Sequence, residues 1–161
     1  MVRYGNVLGS RGSVIHAFKE QPVIRVTDPN MTRFFITLQQ AVDLVQIAVE
    51  EQQGGEIYIP QLKATSILRL AQLIAGNRPI EISSQRGGEK LHEVLFTGEE
   101  NVRKTIDTRG FSVIHPEITT WPYIRPEMDF TEDITYWEPE TSATAVQYSD
   151  KELTKLIASI S

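Results

Sequence analysis

The apolar positions of this chain alternate between helical and strand-like spacing, which predicts an α/β protein. One helix is predicted to begin at Thr37, since apolar residues recur every three or four positions after it. A second is predicted from Ser66, with a C-terminal cap at Gly76. Short strands are predicted in residues 23–27, 56–59 and 80–83, and a turn, Asp28-Pro29-Asn30, follows the first of them.

The two ends of the chain carry further signals. A helix is predicted over residues 12–19, with Ser13 near its start, and Ser149 and Glu152 have capping-box spacing before a terminal amphipathic helix. Residues 98–140 show weak periodicity and four prolines, which predicts irregular chain. We therefore divide the sequence into a first portion with regular elements (1–97), an irregular extension of unknown role (98–148) and a C-terminal helix (149–161).

Composition narrows the class of protein. A chain of 161 residues with 40% hydrophobic and 23% charged residues predicts one globular domain. Its net charge of −5 argues against a nucleic-acid-binding surface, and it has no cysteine for disulfides or thiolate metal sites. No apolar run approaches the ~20 residues of a membrane span, and no signal peptide is evident. We expect a cytoplasmic protein that binds neither membrane nor nucleic acid.

The first fourteen residues read as a short strand that enters a polar, glycine-containing loop. Glycines allow a backbone to approach a ligand closely, and Asn, Ser and Arg side chains supply hydrogen bonds there. A loop of this kind at the very start of a chain leads us to expect that a preceding segment is missing.

Two further stretches carry candidate ligand-binding chemistry. Arg86 and Glu89 flank two glycines after a predicted strand, and they could bind a phosphate and a pair of sugar hydroxyls respectively. The alternative is a solvated turn before a charged helix start. Arg33 could also face a phosphate; the alternative is a surface arginine, with Phe34 and Phe35 as core anchors.

Taken together, these stretches resemble the C-terminal half of extended short-chain dehydrogenase/reductase enzymes. The most similar branch is the polysaccharide-biosynthesis group of UDP-N-acetylglucosamine 4,6-dehydratases and their epimerase relatives. Four motifs occur in the family's order across residues 1–96: RYGNVLGSRGSV (3–14), TDPNMTRFF (27–35), GEIYIP (55–60) and RGGEKLHE (86–93). The resemblance implies an incomplete Rossmann-type sheet with a small substrate-binding subdomain.

The resemblance also implies roles for the residues of the first motif. Tyr4 would lie near the nicotinamide end of a dinucleotide, and Asn6 would contact the substrate diphosphate or the adjoining sugar. The backbone around Ser13 and Val14 would face the uracil.

For the later motifs, the resemblance implies that Arg33 and Arg86 bind the diphosphate and that Glu89 binds the ribose hydroxyls. Two positions depart from the family pattern. His16 replaces a usual proline and is interpreted as a tolerated polar substitution. Gly87 also replaces a proline, which loosens its turn.

The chain lacks the family's catalytic signatures. No Gly-x-Gly-x-x-Gly turn is present, and no tyrosine is followed four residues later by lysine. We therefore assign no catalytic residue, and NAD or NADP would bind only with an N-terminal half. The three histidines (His16, His92 and His115) are too scattered in the sequence to assign a metal site.

Three hypotheses follow. The chain could be the UDP-sugar-binding half of an NAD(P)-dependent nucleotide-sugar 4,6-dehydratase or 4-epimerase, with the N-terminal half of the enzyme as its partner. It could instead be a non-catalytic nucleotide-sugar-binding or interaction module, or a decayed remnant. Unpaired strand edges and apolar helix faces would favour association with the missing half or homo-oligomerisation.

Overall fold

The computed structural model describes residues 1–10, 12–84, 87–126 and 138–160. Its helices are α1 (Val14–Glu20), α2 (Leu38–Glu51), α3 (Ile67–Ala75), α4 (Gly98–Asn101) and α5 (Asp150–Ala158). Its strands are β1 (Asn6–Leu8), β2 (Ile24–Val26), β3 (Thr32–Thr37), β4 (Ile57–Ile59), β5 (Lys63–Ser66), β6 (Ile80–Ile82), β7 (Val94–Phe96), β8 (Lys104–Ile106), β9 (Ser112–Ile114) and β10 (Glu140–Thr141). The predicted α/β class is confirmed.

The caps predicted from the sequence form as expected. The Ser66 hydroxyl accepts a hydrogen bond from the Arg69 amide at 3.3 Å, and α3 ends at Gly76 with φ at 58°. Ser149 and Glu152 form the reciprocal capping box of α5. These features depend on local chemistry, which explains why the sequence predicts them well.

The main departure is β3, which the periodicity does not reveal. Residues 33–36 are all buried, so the strand has no polar face and its pattern resembles part of the following helix. β3 runs to Thr37, and α2 begins directly at Leu38. The sequence also does not predict β5, because that strand has only four residues and its sequence is Lys-Ala-Thr-Ser.

Residues 98–114 contain more regular structure than the sequence predicts. They form α4, β8 and β9, each of three or four residues. Elements this short span little more than one helical or strand period, so no repeat of apolar positions distinguishes them from a loop. The functional division at residues 97 and 148 stays a prediction.

The chain forms two compact units, each built from three chain segments. The first unit contains Met1–Tyr4, Gln39–Gln61 and Val94–Thr141, and the second contains Gly5–Leu38, Leu62–Glu93 and Ser142–Ser161.

The first unit packs most of α2 against a small sheet. Strand β9 pairs antiparallel with both β4 and β8, and Val2 forms a parallel bridge to Tyr58. The core contains Leu44 and Ala48 of α2 together with Tyr58 and Val113 of the sheet. In the same unit, β10 pairs antiparallel with β7.

The second unit is built around β3, which pairs parallel with β1 and antiparallel with β5. A separate parallel pair joins β2 to β6. Helices α1, α3 and α5 supply most of the core around this framework. The largest fully buried side chains of that core include Ile15, Ile24, Phe35, Leu70 and Leu153.

Gly5 fits where no other residue can, immediately before β1. A Cβ atom there would lie 2.4 Å from the Cβ of Phe34 and 2.6 Å from the Phe34 carbonyl oxygen.

We predict that Gly5→Ala lowers the free energy of unfolding by about 1–3 kcal/mol, because it overpacks the β1–β3 junction. Urea unfolding measures the change. Gly87→Ala is the matched control, since a Cβ atom at Gly87 would have nothing within 4 Å; equal effects of the two substitutions would contradict the prediction.

Glu152 gives α5 a pH-dependent anchor. Its carboxylate lies 2.5 Å from the Lys63 ammonium and accepts hydrogen bonds from Ser149, and these contacts lower the pKa of Glu152 to about 2. Since the unfolded pKa is about 4.3, the carboxylate's contribution to stability is complete above that value and is lost as the pH falls toward 2.

We predict that Glu152→Gln destabilises the protein above pH 5 and that the difference from wild type shrinks between pH 4.5 and 2. Glutamine still fits the capping box, so the charge alone is removed. Urea unfolding across this pH range measures the effect, with Glu20→Gln at the exposed end of α1 as control. A difference that stays constant with pH would contradict the prediction.

Candidate functional site

A small cavity opens at the carboxyl end of β1, in the second unit. It has a volume of about 160 Å³, and three of the predicted substrate-binding residues (Asn6, Ser13 and Val14) line it. Phe35 of the neighbouring strand β3 forms part of its wall. Ligands commonly bind at the carboxyl ends of parallel strands in open α/β sheets, so the cavity is the candidate site.

The turn between β1 and α1 owes its shape to two glycines and a serine. Gly9 and Gly12 both have φ at 76°, a conformation that other residues rarely adopt. The Ser10 hydroxyl donates to the Val7 carbonyl at 2.9 Å, and the Ser13 amide donates to the Ser10 carbonyl at 2.9 Å. This compact turn faces the cavity with several polar groups.

Ser13 is the N-cap residue of α1, but its side chain does not cap the helix. Its hydroxyl oxygen is buried and has no hydrogen-bond partner among the described residues. A buried polar atom without a partner carries an energetic cost. Ser13 thus lines the cavity with a hydroxyl that a polar ligand group could satisfy.

The register of the β1–β3 pair determines on which face of the sheet Asn6 and Arg33 lie. Asn6 pairs with Phe35 in the parallel ladder, so these two side chains lie on the same face of the sheet. Arg33 precedes Phe35 by two residues and therefore shares that face, roughly 6–7 Å further along the strand. The fold thus places Asn6 and Arg33 on one face of the sheet; their predicted contacts with a ligand stay predictions.

Arg33 is buried, and its guanidinium fastens the 90–93 segment to β3. It donates to the carbonyls of Lys90 at 2.6 Å and Leu91 at 3.1 Å, and to its own neighbour Thr32 at 2.7 Å. Its Nε lies 3.5 Å from a carboxylate oxygen of Glu93. Arg33 therefore positions the loop that contains Glu89, a role that the sequence did not predict.

A second set of hydrogen bonds holds the same segment. The fully buried Ser142 hydroxyl lies 2.7 Å from the Thr32 hydroxyl and accepts from the Glu93 amide at 2.9 Å. His92 Nδ1 lies 2.8 Å from the Thr32 hydroxyl. Ser142 lies 110 residues from Thr32 in the chain, and no sequence motif connects the two residues.

The other predicted site residues are placed as follows. Glu89 is half-buried in the loop fastened by Arg33. Tyr4 is 39% exposed and belongs to the first unit. Arg86 lies outside the described residues. The roles of these residues toward a ligand stay predictions.

The first unit contains a separate, partly buried cluster of polar side chains, in which His115 and Glu56 are buried. His115 Nδ1 lies 2.6 Å from the Tyr123 hydroxyl, and His115 Nε2 lies 2.7 Å from the Thr105 hydroxyl. Burial lowers the pKa of His115, while burial and the Glu56 carboxylate raise the pKa of Tyr123 to about 12. The Glu56 carboxylate also accepts hydrogen bonds from the Gln53 and Gly54 amides at 2.8 Å. Every member of the cluster has a partner, which is typical of a structural network.

Metal and membrane features are absent from the described part of the chain. Across residues 1–10, 12–84, 87–126 and 138–160, no three His, Asp or Glu side chains group closely enough to hold a metal ion. No helix in those ranges is both long and apolar enough to cross a membrane.

The cavity does not by itself fit a dinucleotide. Its 160 Å³ is well below the roughly 300–1,000 Å³ of sites that enclose a drug-sized ligand. The described residues suit one part of a ligand, such as a sugar ring or a pyrimidine.

Comparison with known proteins identifies relatives. Residues 1–115 match the family described as polysaccharide biosynthesis protein. An inverting UDP-N-acetylglucosamine 4,6-dehydratase from Campylobacter jejuni is 37% identical over 136 residues, covering 81% of this chain and 40% of the relative. A UDP-glucose 4-epimerase from Rickettsia conorii is 31% identical over 168 aligned positions, covering 99% of this chain and 49% of the relative.

The fold comparison agrees. The crystal structure of Pen from Bacillus thuringiensis superposes with a TM-score of 0.81 and 30% identity, covering 98% of this chain and 48% of that protein. The chain thus spans less than half the length of these relatives. It belongs to the polysaccharide biosynthesis protein family of extended short-chain dehydrogenase/reductases, the group of nucleotide-sugar dehydratases and epimerases.

Proposed function

We propose that this chain is the UDP-sugar-binding half of an NAD(P)-dependent nucleotide-sugar 4,6-dehydratase or 4-epimerase. The observation that carries the proposal is the cavity at the end of β1, where Asn6, Ser13 and Val14 come together in a chain of this family. The activities for which the relatives are named, on UDP-N-acetylglucosamine and UDP-glucose, indicate the class of ligand.

The residues around the cavity offer hydrogen bonds suited to a nucleotide sugar. The Asn6 amide can both donate to a phosphate oxygen and accept from a sugar hydroxyl, and the Ser13 hydroxyl can do the same. Glu89 can accept from two ribose hydroxyls, and Arg33 keeps its loop in place. Binding energy from the nucleotide would orient a sugar whose chemistry takes place elsewhere in the enzyme.

The redox cofactor belongs to the complete enzyme in this proposal. NAD or NADP would supply hydride transfer at the sugar ring, and the described residues would contribute only the side chain of Tyr4. The residues of this chain bind and orient the substrate. We assign them no proton transfer.

The second candidate is a binding module without catalytic activity. It is supported by the cavity itself, whose lining residues offer hydrogen bonds for binding and include none to which we assign a catalytic role. The two candidates differ in a measurable way: turnover of the UDP-sugar with NAD or NADP appears only for the first, and only when the remaining half of the enzyme is present.

We predict that Asn6→Ala and Glu89→Gln each weaken UDP binding, because each removes a hydrogen bond to the ligand. The expected loss is about 1–3 kcal/mol, which corresponds to a roughly 5- to 150-fold rise in Kd. Isothermal titration with UDP and UDP-N-acetylglucosamine measures it, first on the full chain and then after co-expression with the other half of a relative.

Asn30→Ala, in the exposed turn before β3, is the matched control and should leave the Kd unchanged. Unchanged affinity in both Asn6→Ala and Glu89→Gln would overturn the proposed site. No UDP binding under either condition would overturn the proposed function.

We also predict that Arg33→Lys loosens the 89–93 loop, because an ammonium group cannot reach the carbonyls of both Lys90 and Leu91 in the geometry of the planar guanidinium. Amide hydrogen exchange should rise at Thr32 and Ser142, whose amides donate to the carbonyls of Leu91 and Glu93. Arg25→Lys, on the exposed face of β2, is the control. Unchanged exchange at Thr32 and Ser142 would contradict the positioning role.

A further inference from the structure

Residues 116–126 of the first unit form a strap, a stretch without helix or strand that lies against the turn after α2. The Ile124 amide donates to the side-chain oxygen of Gln53 at 2.9 Å, and the side-chain nitrogen of Gln53 donates to the Ile124 carbonyl at 3.2 Å. Compact surface loops are commonly held in this way by a few side-chain contacts.

Two glycines let the strap approach this turn closely. A Cβ atom at Gly54 would lie 3.2 Å from the indole nitrogen of Trp121, and a Cβ atom at Gly55 would lie 3.1 Å from the Cβ of Pro116. Both glycines have positive φ, at 116° and 87°. The turn therefore leaves room for the Trp121 ring because neither residue has a side chain.

Tyr123 joins the strap to the buried part of the unit. Its side chain is half-buried, whereas its neighbours Pro122 and Ile124 are exposed. Its hydroxyl lies 2.6 Å from Nδ1 of the buried His115 and hydrogen-bonds the buried Glu56 carboxylate. The strap is thus held at its exposed side by Gln53 and at its inner side by these two buried groups.

The proton positions in this cluster follow from its donors and acceptors. Burial disfavours the Glu56 carboxylate, but hydrogen bonds from the Gln53 and Gly54 amides and from Tyr123 outweigh burial and lower the pKa of Glu56. A carboxylate only accepts, so the Tyr123 hydroxyl donates to Glu56 and its oxygen accepts from Nδ1–H of His115. Nε2 of neutral His115 then accepts the Thr105 hydroxyl proton across 2.7 Å.

A second proton on His115 conflicts with this arrangement. The new Nε2–H would meet the Thr105 hydroxyl proton along the same 2.7 Å, so the hydroxyl would have to turn away. The positive charge would also be buried, since His115 is 6% exposed. The closed strap therefore fits the neutral imidazole and disfavours the charged one.

The charged groups around His115 oppose one another. Burial has the largest effect and lowers the pKa of His115; Glu56, before β4, favours the imidazolium, and Arg125 of the strap disfavours it. Arg103, before β8, donates to the His115 carbonyl at 2.9 Å and brings a second positive charge to the surroundings. Tyr123 stays uncharged at neutral pH, because burial and Glu56 raise its pKa to about 12.

We propose that Glu56, Tyr123 and His115 form a pH-sensitive latch, which keeps the strap closed while His115 is neutral and opens it when His115 is protonated. Opening would expose the imidazole to water, where its pKa returns to about 6.5. Because the lower pKa belongs to the closed form, closure is most stable above about pH 6.5 and weakens as the pH falls below that value. This inference does not rest on the proposed function, whose site lies in the second unit.

The test is amide hydrogen exchange of the full chain between about pH 7.5 and 5.5, with each rate divided by its intrinsic value. The Ile124 amide reports on the strap because it donates to Gln53. One proton is taken up on opening, which raises the opening equilibrium by up to about tenfold per pH unit. We expect Ile124 protection in the wild type to fall at least about threefold over this range, while circular dichroism stays constant.

His115→Asn should remove this pH dependence. The asparagine amide can still donate to Tyr123 but does not titrate in this range, so Ile124 protection should stay constant with pH. His16→Gln, on α1 of the second unit, is the matched control and should keep the wild-type fall.

Tyr123→Phe tests the latch without changing His115. Phenylalanine keeps the ring and removes the hydroxyl, so Ile124 protection at pH 7.5 should fall toward the level that the wild type reaches at pH 5.5. Equal protection in the wild type and Tyr123→Phe at pH 7.5 overturns the inference, even if His115→Asn fails to fold. So does wild-type protection that is absent, constant with pH, or lost equally in His115→Asn. Loss of the circular dichroism signal over the same range would mean unfolding of the whole chain and would also overturn it.

Discussion

The parallel pairing of β1 with β3 is the constraint on which the candidate site depends. Its register sets Asn6 beside Phe35 and, through the alternation of a strand, puts Arg33 on the same face. The close approach of Gly5 to Phe34 accompanies this pairing, since a side chain at Gly5 would collide with β3. The turn after β1 can hold polar groups over the sheet because the pairing fixes the direction in which that turn leaves.

Buried polar groups of the second unit fix the loop that faces this surface. Arg33 directs its donors to backbone carbonyls, and Ser142 joins Thr32 to the Glu93 amide. Burial of a guanidinium is costly unless its hydrogen bonds are made, and here backbone carbonyls accept most of them. Such a network is sensitive to the loss of any member, so it specifies one loop conformation instead of merely adding stability.

The sequence predicts the locally determined parts of this structure well. The caps at Ser66, Gly76 and Ser149 depend on a few adjacent residues, and they form as predicted. The unpredicted strand β3 is buried on both faces, which removes the alternation that identifies a strand. Two sets of contacts join segments that are distant in the chain: Arg33 with residues 90 and 91, and Ser142 with Thr32. No local sequence pattern predicts them. The resemblance of the first motif implies that Asn6, Ser13 and Val14 lie at one site; all three line the cavity, and their roles toward a ligand stay predictions.

Under the proposed function, these features separate two requirements of a nucleotide-sugar enzyme. The shape of the binding surface depends on contacts within the second unit: the β1–β3 pairing, the glycine turn and the loop fastened by Arg33. Each consists of packing or hydrogen bonds between residues of this chain that are in direct contact, even where they are distant in the sequence. Alignment of a sugar with a redox cofactor is a different requirement, because it needs reacting atoms placed within a few tenths of an ångström. In the proposed function this chain contributes binding energy, and that energy accelerates a reaction only when another part of the enzyme places the reacting groups beside the bound sugar.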